Sequence, residues 1–584
     1  MTKYPRTEKA RMTKSEADST HIQNFPLVFS HWKFGFHWAL GISLFVILFS
    51  VVGTFDALGQ SRGRVIRINP NVAYNLSSRD DIAQLKNLAA GVGWEFEPNE
   101  ETSKRLKAIG IKRIRCINVD VGGATFDAKG VCHLGDGRIV RLLNANLDTC
   151  RVIGASPHVI FAVTLPEVLK LKPEHADTED KELLGLIRSG TYGPTDWAKF
   201  RAYIKAMLKH VMIDHGFPDA AFEVGNEPEG GALLPRPPRP AMGSRAMYEA
   251  YLKLYSNVAA ATEEFEAEHP DTHVTLGGPA GVWAYSFKFG DFNWTERFLR
   301  DVNEQQIKLD FVGIHFYGNI SPLTPNGNRG VYPSYTEMFA MTRQWRDKYT
   351  VGVPIYMTEW GASYHTSLDA PSVLYNGGHV GASFAAAFLN RMLIDGVDKA
   401  LYLVSTDLRE EVDGTWTSIW GWPSLFTNPI AGPMAPKAPY HVFQMVHRLA
   451  PIRIEATHAG GTVDAIASRD SDGRITILVW NHSSTIPEFG LGVETGQREA
   501  ITCQIVKADG FFNNTKVHLQ RSLVSETVSN ARYLFEQGGE LDARAELQQV
   551  DQGVFSVVDD MLSVGFAQPP SSVSFIELSP HESH

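Results

Sequence analysis

Only four cysteines, Cys116, Cys132, Cys150 and Cys503, occur in 584 residues, and no two form a CxxC pair. That spacing gives no thiolate metal cluster and leaves two options, one or two disulfides or buried free thiols. The chain also lacks a Gly-rich phosphate loop and a metal-ligand cluster, so neither cofactor nor metal is expected. Excess basic charge is missing. Lys and Arg number 55 against 65 Asp and Glu, a net charge of −10, and a nucleic-acid partner would demand the opposite sign. No repeat of fixed period and no low-complexity tract is found. Asp, Glu, Lys and Arg are absent altogether from residues 34–55. That run is long enough to cross a bilayer as one helix. Trp32 and Trp38 sit where an interfacial belt belongs, and Lys3, Arg6, Lys9, Arg11, Lys14 and Lys33 outnumber the acids before it. The positive-inside rule places the N-terminus in the cytoplasm and the remainder outside. The expectation is a single-pass anchor in a bacterial inner membrane with the globular part in the periplasm. The alternative is secretion after signal cleavage near Ala57-Leu58-Gly59.

What is present is ordinary for a large folded protein, with 43% hydrophobic residues and a generous 12 Trp and 18 Tyr. From residue 91 onward short apolar runs alternate with helical periodicity. Strands are read at residues 92–96, 111–118, 159–164, 222–227, 273–277, 311–317, 355–359 and 399–405. Helices are read at 99–109, 196–215, 247–269, 298–305, 337–348, 379–395 and 440–449. Eight strand–helix units over about 360 residues predict a (β/α)8 barrel. Beyond residue 451 short strands separated by turn signals such as Asp470-Ser471-Asp472-Gly473 predict a β-sandwich. The domain organisation expected is a basic tail 1–33, an anchor 34–55, a linker and extension 56–90, a barrel 91–450 and a sandwich 451–584. The proline-rich stretch 233–240 cannot be helical and reads as a rim loop.

Two of the barrel runs end on glutamate: Phe222-Glu223-Val224-Gly225-Asn226-Glu227-Pro228 and Ile355-Tyr356-Met357-Thr358-Glu359-Trp360-Gly361. Catalytic residues of a parallel barrel come from the C-terminal ends of different strands. Cleavage of a glycosidic bond needs two carboxylates facing each other across it. His315 and Tyr317 lie two apart on the sixth strand, so their side chains point the same way, into the barrel mouth given the register. Trp360, Trp416, Trp420 and Trp422 are candidate sugar-stacking platforms, the last two following strand eight.

These residues resemble a known group. Asn226-Glu227-Pro228 and Thr358-Glu359-Trp360 are similar to the motifs of clan A retaining glycoside hydrolases. The barrel-plus-sandwich order, His315-Phe316-Tyr317 and Ile114-Arg115 most resemble family 39, which includes β-xylosidases, α-L-iduronidases and exopolysaccharide-associated relatives. The resemblance implies that Glu227 is the general acid/base and Glu359 the nucleophile. It implies that Arg115 hydrogen-bonds Glu359, and that Asn226 contacts a sugar 2-hydroxyl. Tyr317 would bond Glu359, and His315 would touch the sugar. The implied substrate is a polysaccharide or oligosaccharide, with polysaccharide-export machinery as a candidate partner. Three positions depart from the family pattern. Gly225 stands where Trp is common, Ile117 where His is common, and Tyr402-Leu403-Val404-Ser405 lacks the strand-eight Trp. These departures weigh against xylose as substrate. A non-catalytic glycan-binding protein on the same fold and a transglycosylase using the same glutamates are the competing functions.

Overall fold

In the computed structural model of the chain, the residues described are 63–74, 81–93, 98–117, 124–135, 138–161, 196–229, 244–282, 288–289, 292–318, 335–363, 375–412, 414–457, 459–482, 498–512 and 516–581. The apolar run 34–55 and the proline-rich stretch 233–240 lie outside them. Among the described residues no helix is long and apolar enough to cross a membrane.

The eight strands close into a parallel barrel: β1 (Gly91–Gly93), β2 (Arg113–Ile117), β3 (Ser156–Phe161), β4 (Ala221–Val224), β5 (Thr275–Gly281), β6 (Phe311–Tyr317), β7 (Ile355–Gly361) and β8 (Lys399–Tyr402). Closure occurs at β1 against β8, where Val92 pairs with Tyr402. Glycine is required there. A Cβ on Gly91 would lie 2.1 Å from the Ala400 carbonyl oxygen, and one on Gly93 1.6 Å from that of Leu403. Every residue of β4, β6 and β7 is buried. This matches sequence runs that are mostly apolar rather than alternating.

The surrounding helices start where capping chemistry permits. Asn99 accepts from the Thr102 amide to open Glu100–Ala108, and Asp196 accepts from Ala198 and Lys199 to open Trp197–Lys209. Helix His379–Asp395 ends at Gly396 in the left-handed region, φ 82°. One departure from the expected spans is a π-helical turn at His210–Asp214, which continues the Trp197 helix.

The C-terminal region forms one nine-stranded sheet. One of its strands comes from before the barrel. Arg64–Ala73, read above as part of a linker and extension, pairs parallel to Glu499–Val506 and antiparallel to Ile452–Ala456. Ile66 and Ile68 join Ile477, Val564 and Leu578 in a core separate from that of the barrel. The barrel and the sheet domain are tied by Arg105 to Glu546 at 2.9 Å and by His441 to the Ala545 carbonyl at 2.8 Å. All four cysteines are buried and free, so the disulfide option is not taken.

Candidate active site

Barrel register sets the site. Arg115 on β2 is opposite His158 on β3, and His315 on β6 is opposite Glu359 on β7. β4 stops at Val224, and the chain turns through Gly225 at φ 79° and Glu227 at φ 47°. The turn is held on both sides, by the Gly225 amide to Phe161 O at 2.8 Å and the Glu227 amide to Ala280 O at 2.9 Å. A glutamate in the left-handed region costs of order 1–3 kcal/mol, a strain that persists only where the surroundings enforce it. Here the enforced geometry carries Asn226 and Glu227 over the barrel mouth.

Arg115 is the hub. It is 1% exposed, and its guanidinium reaches Glu359 Oε2 at 2.7 Å through Nη1 and Asn226 Oδ1 at 2.9 Å through Nη2. It also grips Glu223 Oε2 from Nη2 at 2.8 Å and from Nε at 3.0 Å. Because Arg115 only donates, the oxygen of the Asn226 amide must face it, which turns the amide NH2 elsewhere. The Tyr317 hydroxyl donates to the second Glu359 oxygen, Oε1.

His315 is fully buried, and burial depresses its pKa to about 4, so it is neutral at pH 7. Its Nε2 lies 3.3 Å from Arg115 Nη2 and its Nδ1 2.9 Å from Glu227 Oε1. A neutral imidazole facing a guanidinium must accept there, so the proton sits on Nδ1 and is donated to Glu227. This tautomer is assigned from its neighbours' donors.

The two glutamates are thereby made unlike. Burial raises the Glu227 carboxyl to about 7, against a smaller opposing pull from Arg115. Glu359 is bound by the cation and by a tyrosine hydroxyl. One oxygen of each carboxylate and His315 Nδ1 all lie within 4.8 Å of one another. The three atoms could in outline hold a cation, but Nδ1 carries a proton in the assigned tautomer and Arg115 already places a positive charge on Glu359. The arrangement is a facing pair of carboxyls, one poised to lose a proton near neutrality and one gripped by a guanidinium and a tyrosine hydroxyl.

Six of the residues expected at the site are therefore together: Arg115, Asn226, Glu227, His315, Tyr317 and Glu359. His315 contacts Glu227, a partner the sequence did not indicate. The tryptophans fare differently. Trp360 is 0% exposed and packs among Phe388, Tyr402 and Phe443 in the barrel core. It follows Glu359 on a strand, so it points to the opposite side and cannot stack on a sugar. Trp420 is 2% exposed, 5.1 Å from the Phe535 ring, in the seam with the sheet domain. Trp422 is half-buried on a loop whose next residue, Pro423, lies against Gly361 and so beside the mouth. Trp416 is 44% exposed on a rim hairpin under Arg409.

Sequence reasoning missed Glu223. It is completely buried on β4; burial is the largest single influence and pushes its pKa up, but Arg115 together with His158 and His315 holds it far below the usual carboxylate range. The available signal was a lone acid inside an otherwise apolar strand.

The sequence profile of the glycosyl hydrolases family 39 matches residues 192–523. Among solved structures, a family 39 enzyme from Xanthomonas axonopodis pv. citri superposes with a TM-score of 0.64 at 18% identity, covering 89% of this chain and 98% of its own. A monomeric β-xylosidase from Caulobacter crescentus CB15 gives 0.62 at 19% identity, with 89% and 100% covered. A bacterial orthologue of human α-L-iduronidase gives 0.59 at 15%, with 90% and 85% covered. At these identities the superpositions speak for the fold.

Proposed function

The chain belongs to glycosyl hydrolases family 39, and from that premise we propose that it cleaves a polysaccharide by a retaining double displacement. Glu359 attacks the anomeric carbon. Glu227 gives its proton to the departing glycosidic oxygen, and a covalent glycosyl-enzyme forms. Glu227, now a carboxylate, takes a proton from water, whose oxygen displaces Glu359 and restores the original anomeric configuration. The observation that carries this reading is the separation of the two glutamates, with one oxygen of each within 4.8 Å. Retaining enzymes hold their carboxyls about 5–5.5 Å apart, and inverting enzymes leave about 6.5–9.5 Å for a water molecule.

The surrounding residues support the division of labour. A carboxyl at about 7 can be an acid in the first step and a base in the second. His315 donates to Glu227 Oε1, which leaves Oε2 to carry the mobile proton. Arg115 and Tyr317 occupy both oxygens of Glu359 from the protein side and fix its plane. The amide NH2 of Asn226 is available to the sugar 2-hydroxyl, where hydrogen bonds tighten as positive charge develops.

The substrate class proposed is a bacterial exopolysaccharide, met outside the cytoplasm by a protein anchored through residues 34–55. Support for this comes from the uncharged run, its basic flank and the departures at Ile117, Gly225 and strand eight. The test is incubation with a panel of bacterial and plant polysaccharides, product sizing, and NMR of the first-formed anomer. Release of an inverted anomer overturns the mechanism. Failure to release sugar from any polymer, with aryl glycosides still turned over, overturns the substrate class.

A further inference from the structure

Glu223 is unaccounted for by the double displacement. It touches neither reacting atom, yet a carboxylate has been placed at 0% exposure inside a barrel. Such a group is expensive unless paired. Its pairing is lopsided. Arg115 Nε donates to Oε2 at 3.0 Å and its Nη2 pairs with the same oxygen at 2.8 Å, while Oε1 is buried without a hydrogen-bond partner. Oε1 fits only because the neighbouring position on β6 is Gly313, where a Cβ would stand 2.2 Å from it. His158 Nε2 on β3 stands 3.5 Å from Oε2, a longer contact than either from Arg115.

The surrounding charges assign a purpose. Arg115 sits between Glu223 and Glu359, with Glu227, His315 and Tyr317 also facing the cluster. Burial depresses the pKa of His315, and of His158 despite its contact with Glu223. Tyr317 is raised by burial and by Glu359, so all three are neutral at pH 7. Tyr251, the other titratable group near Glu223, is likewise raised by burial. The cation is therefore shared between two anions. Without the second anion its field would fall undivided on Glu359 and Glu227.

We propose that Glu223 is a positioning residue for the reaction: by holding the Nε–Nη2 edge of Arg115 it fixes the guanidinium plane, and by neutralising that cation it keeps the proton of Glu227 on its carboxyl. This inference rests on the acid/base reading of Glu227. Its sign follows from the site. Arg115 pulls the Glu227 pKa down against burial, so removing the negative charge of Glu223 lowers it further. Glu227 then ionises at lower pH, and the enzyme loses its acid sooner as pH rises.

The experiment compares pH profiles of kcat/KM on an aryl glycoside with a poor leaving group, for wild type, Glu223→Gln, Glu223→Asp, Gly313→Ala and Glu227→Gln, with folding checked by circular dichroism. Glu223→Gln keeps shape and loses charge. It should move the alkaline limb to lower pH and cut activity at pH 7 by roughly tenfold or more, chiefly in kcat. Glu223→Asp should restore the limb toward its wild-type position. Gly313→Ala, which keeps the charge but displaces Oε1, should lower kcat and leave the limb in place. A folded Glu223→Gln variant with an unmoved limb overturns the proposal. Should that variant not fold, a wild-type kcat in Gly313→Ala, or an alkaline limb displaced in Glu223→Asp although the charge is kept, overturns it. The reading beneath it fails separately, if the alkaline limb survives in Glu227→Gln.

Discussion

Two enclosed ionic clusters among the described residues of the barrel invite comparison. One joins Asp407 and Lys437, both 0% exposed, just beyond β8. The other is the Glu223–Arg115–Glu359 triad on β4, β2 and β7. In the first, Lys437 Nζ reaches Asp407 Oδ1 at 2.8 Å, Trp422 O at 2.7 Å, Ser424 Oγ at 2.9 Å and Trp420 O at 3.1 Å. Asp407 in turn accepts from Ser418 and Ser424. Its charges cancel. The triad has two carboxylates for one guanidinium, and Glu223 Oε1 and the neighbouring Thr358 Oγ1 are buried without a hydrogen-bond partner. A closed cluster of this kind is scaffold, here clamping the loop that carries Trp422. A cluster left with surplus charge concentrates polarity where water has been excluded, which is what a reaction through a charged transition state uses.

Removing Glu359 is the largest expected break. Glu359→Ala should bring turnover to the detection limit on every substrate, with no glycosyl-enzyme found by mass spectrometry, because no atom remains to attack carbon. Glu227→Ala should lose about 10²–10⁴-fold on poor leaving groups and far less on very good ones. Azide should restore it with a product of retained configuration. An equal loss on all leaving groups, unresponsive to azide, would mean that strand four has been misread.

Breaking the closed cluster should act on stability instead. Lys437→Met leaves Asp407 buried without its cation, a change that costs about 3–5 kcal/mol. Denaturant unfolding should show the loss, while the pH profile of the folded fraction stays where it was. A shifted profile would move this cluster from scaffold to chemistry.

The smallest effect is on stability against pH. Glu227 titrates at about 7 in the folded protein against an ordinary 4.5. Below the ordinary value it is neutral folded or unfolded, so it imposes no penalty. From there to about pH 7 the unfolded chain ionises while the folded carboxyl keeps its proton, so stability falls progressively, by about 3 kcal/mol once the folded group has also ionised. Glu227→Gln, which cannot ionise, should therefore melt higher than wild type above pH 7 and equally below about pH 4.5. Equal melting at alkaline pH would mean that Glu227 is not raised.

Much of the barrel was legible because each unit is local. An apolar run, a cap such as Asn99 and a stop such as Gly396 specify strand, start and end within a few residues. The two glutamates were legible for the same reason, since each closes its own strand. A short strand from Val65 was legible too, but the sheet that Arg64–Ala73 joins was not. The strand's partners are some 390 and 435 residues away, and nothing near it says which sheet it joins.

The sequence by itself determined the period of the barrel, the carboxylates and the shared side of His315 and Tyr317, because side-chain direction along a strand follows from alternation; Arg115 was legible through its resemblance to the family motif. The tertiary structure alone decided the tryptophans. Trp360 and Trp420 have the same chemistry as a sugar platform, but packing against Phe443 and Phe535 puts them under other side chains. It also decided that the cysteines remain thiols, that His315 serves Glu227, and that Glu223 stands behind Arg115. Each of these depends on which distant strand supplies the neighbour, and burial, charge balance and proton affinity are properties of neighbours rather than of residues.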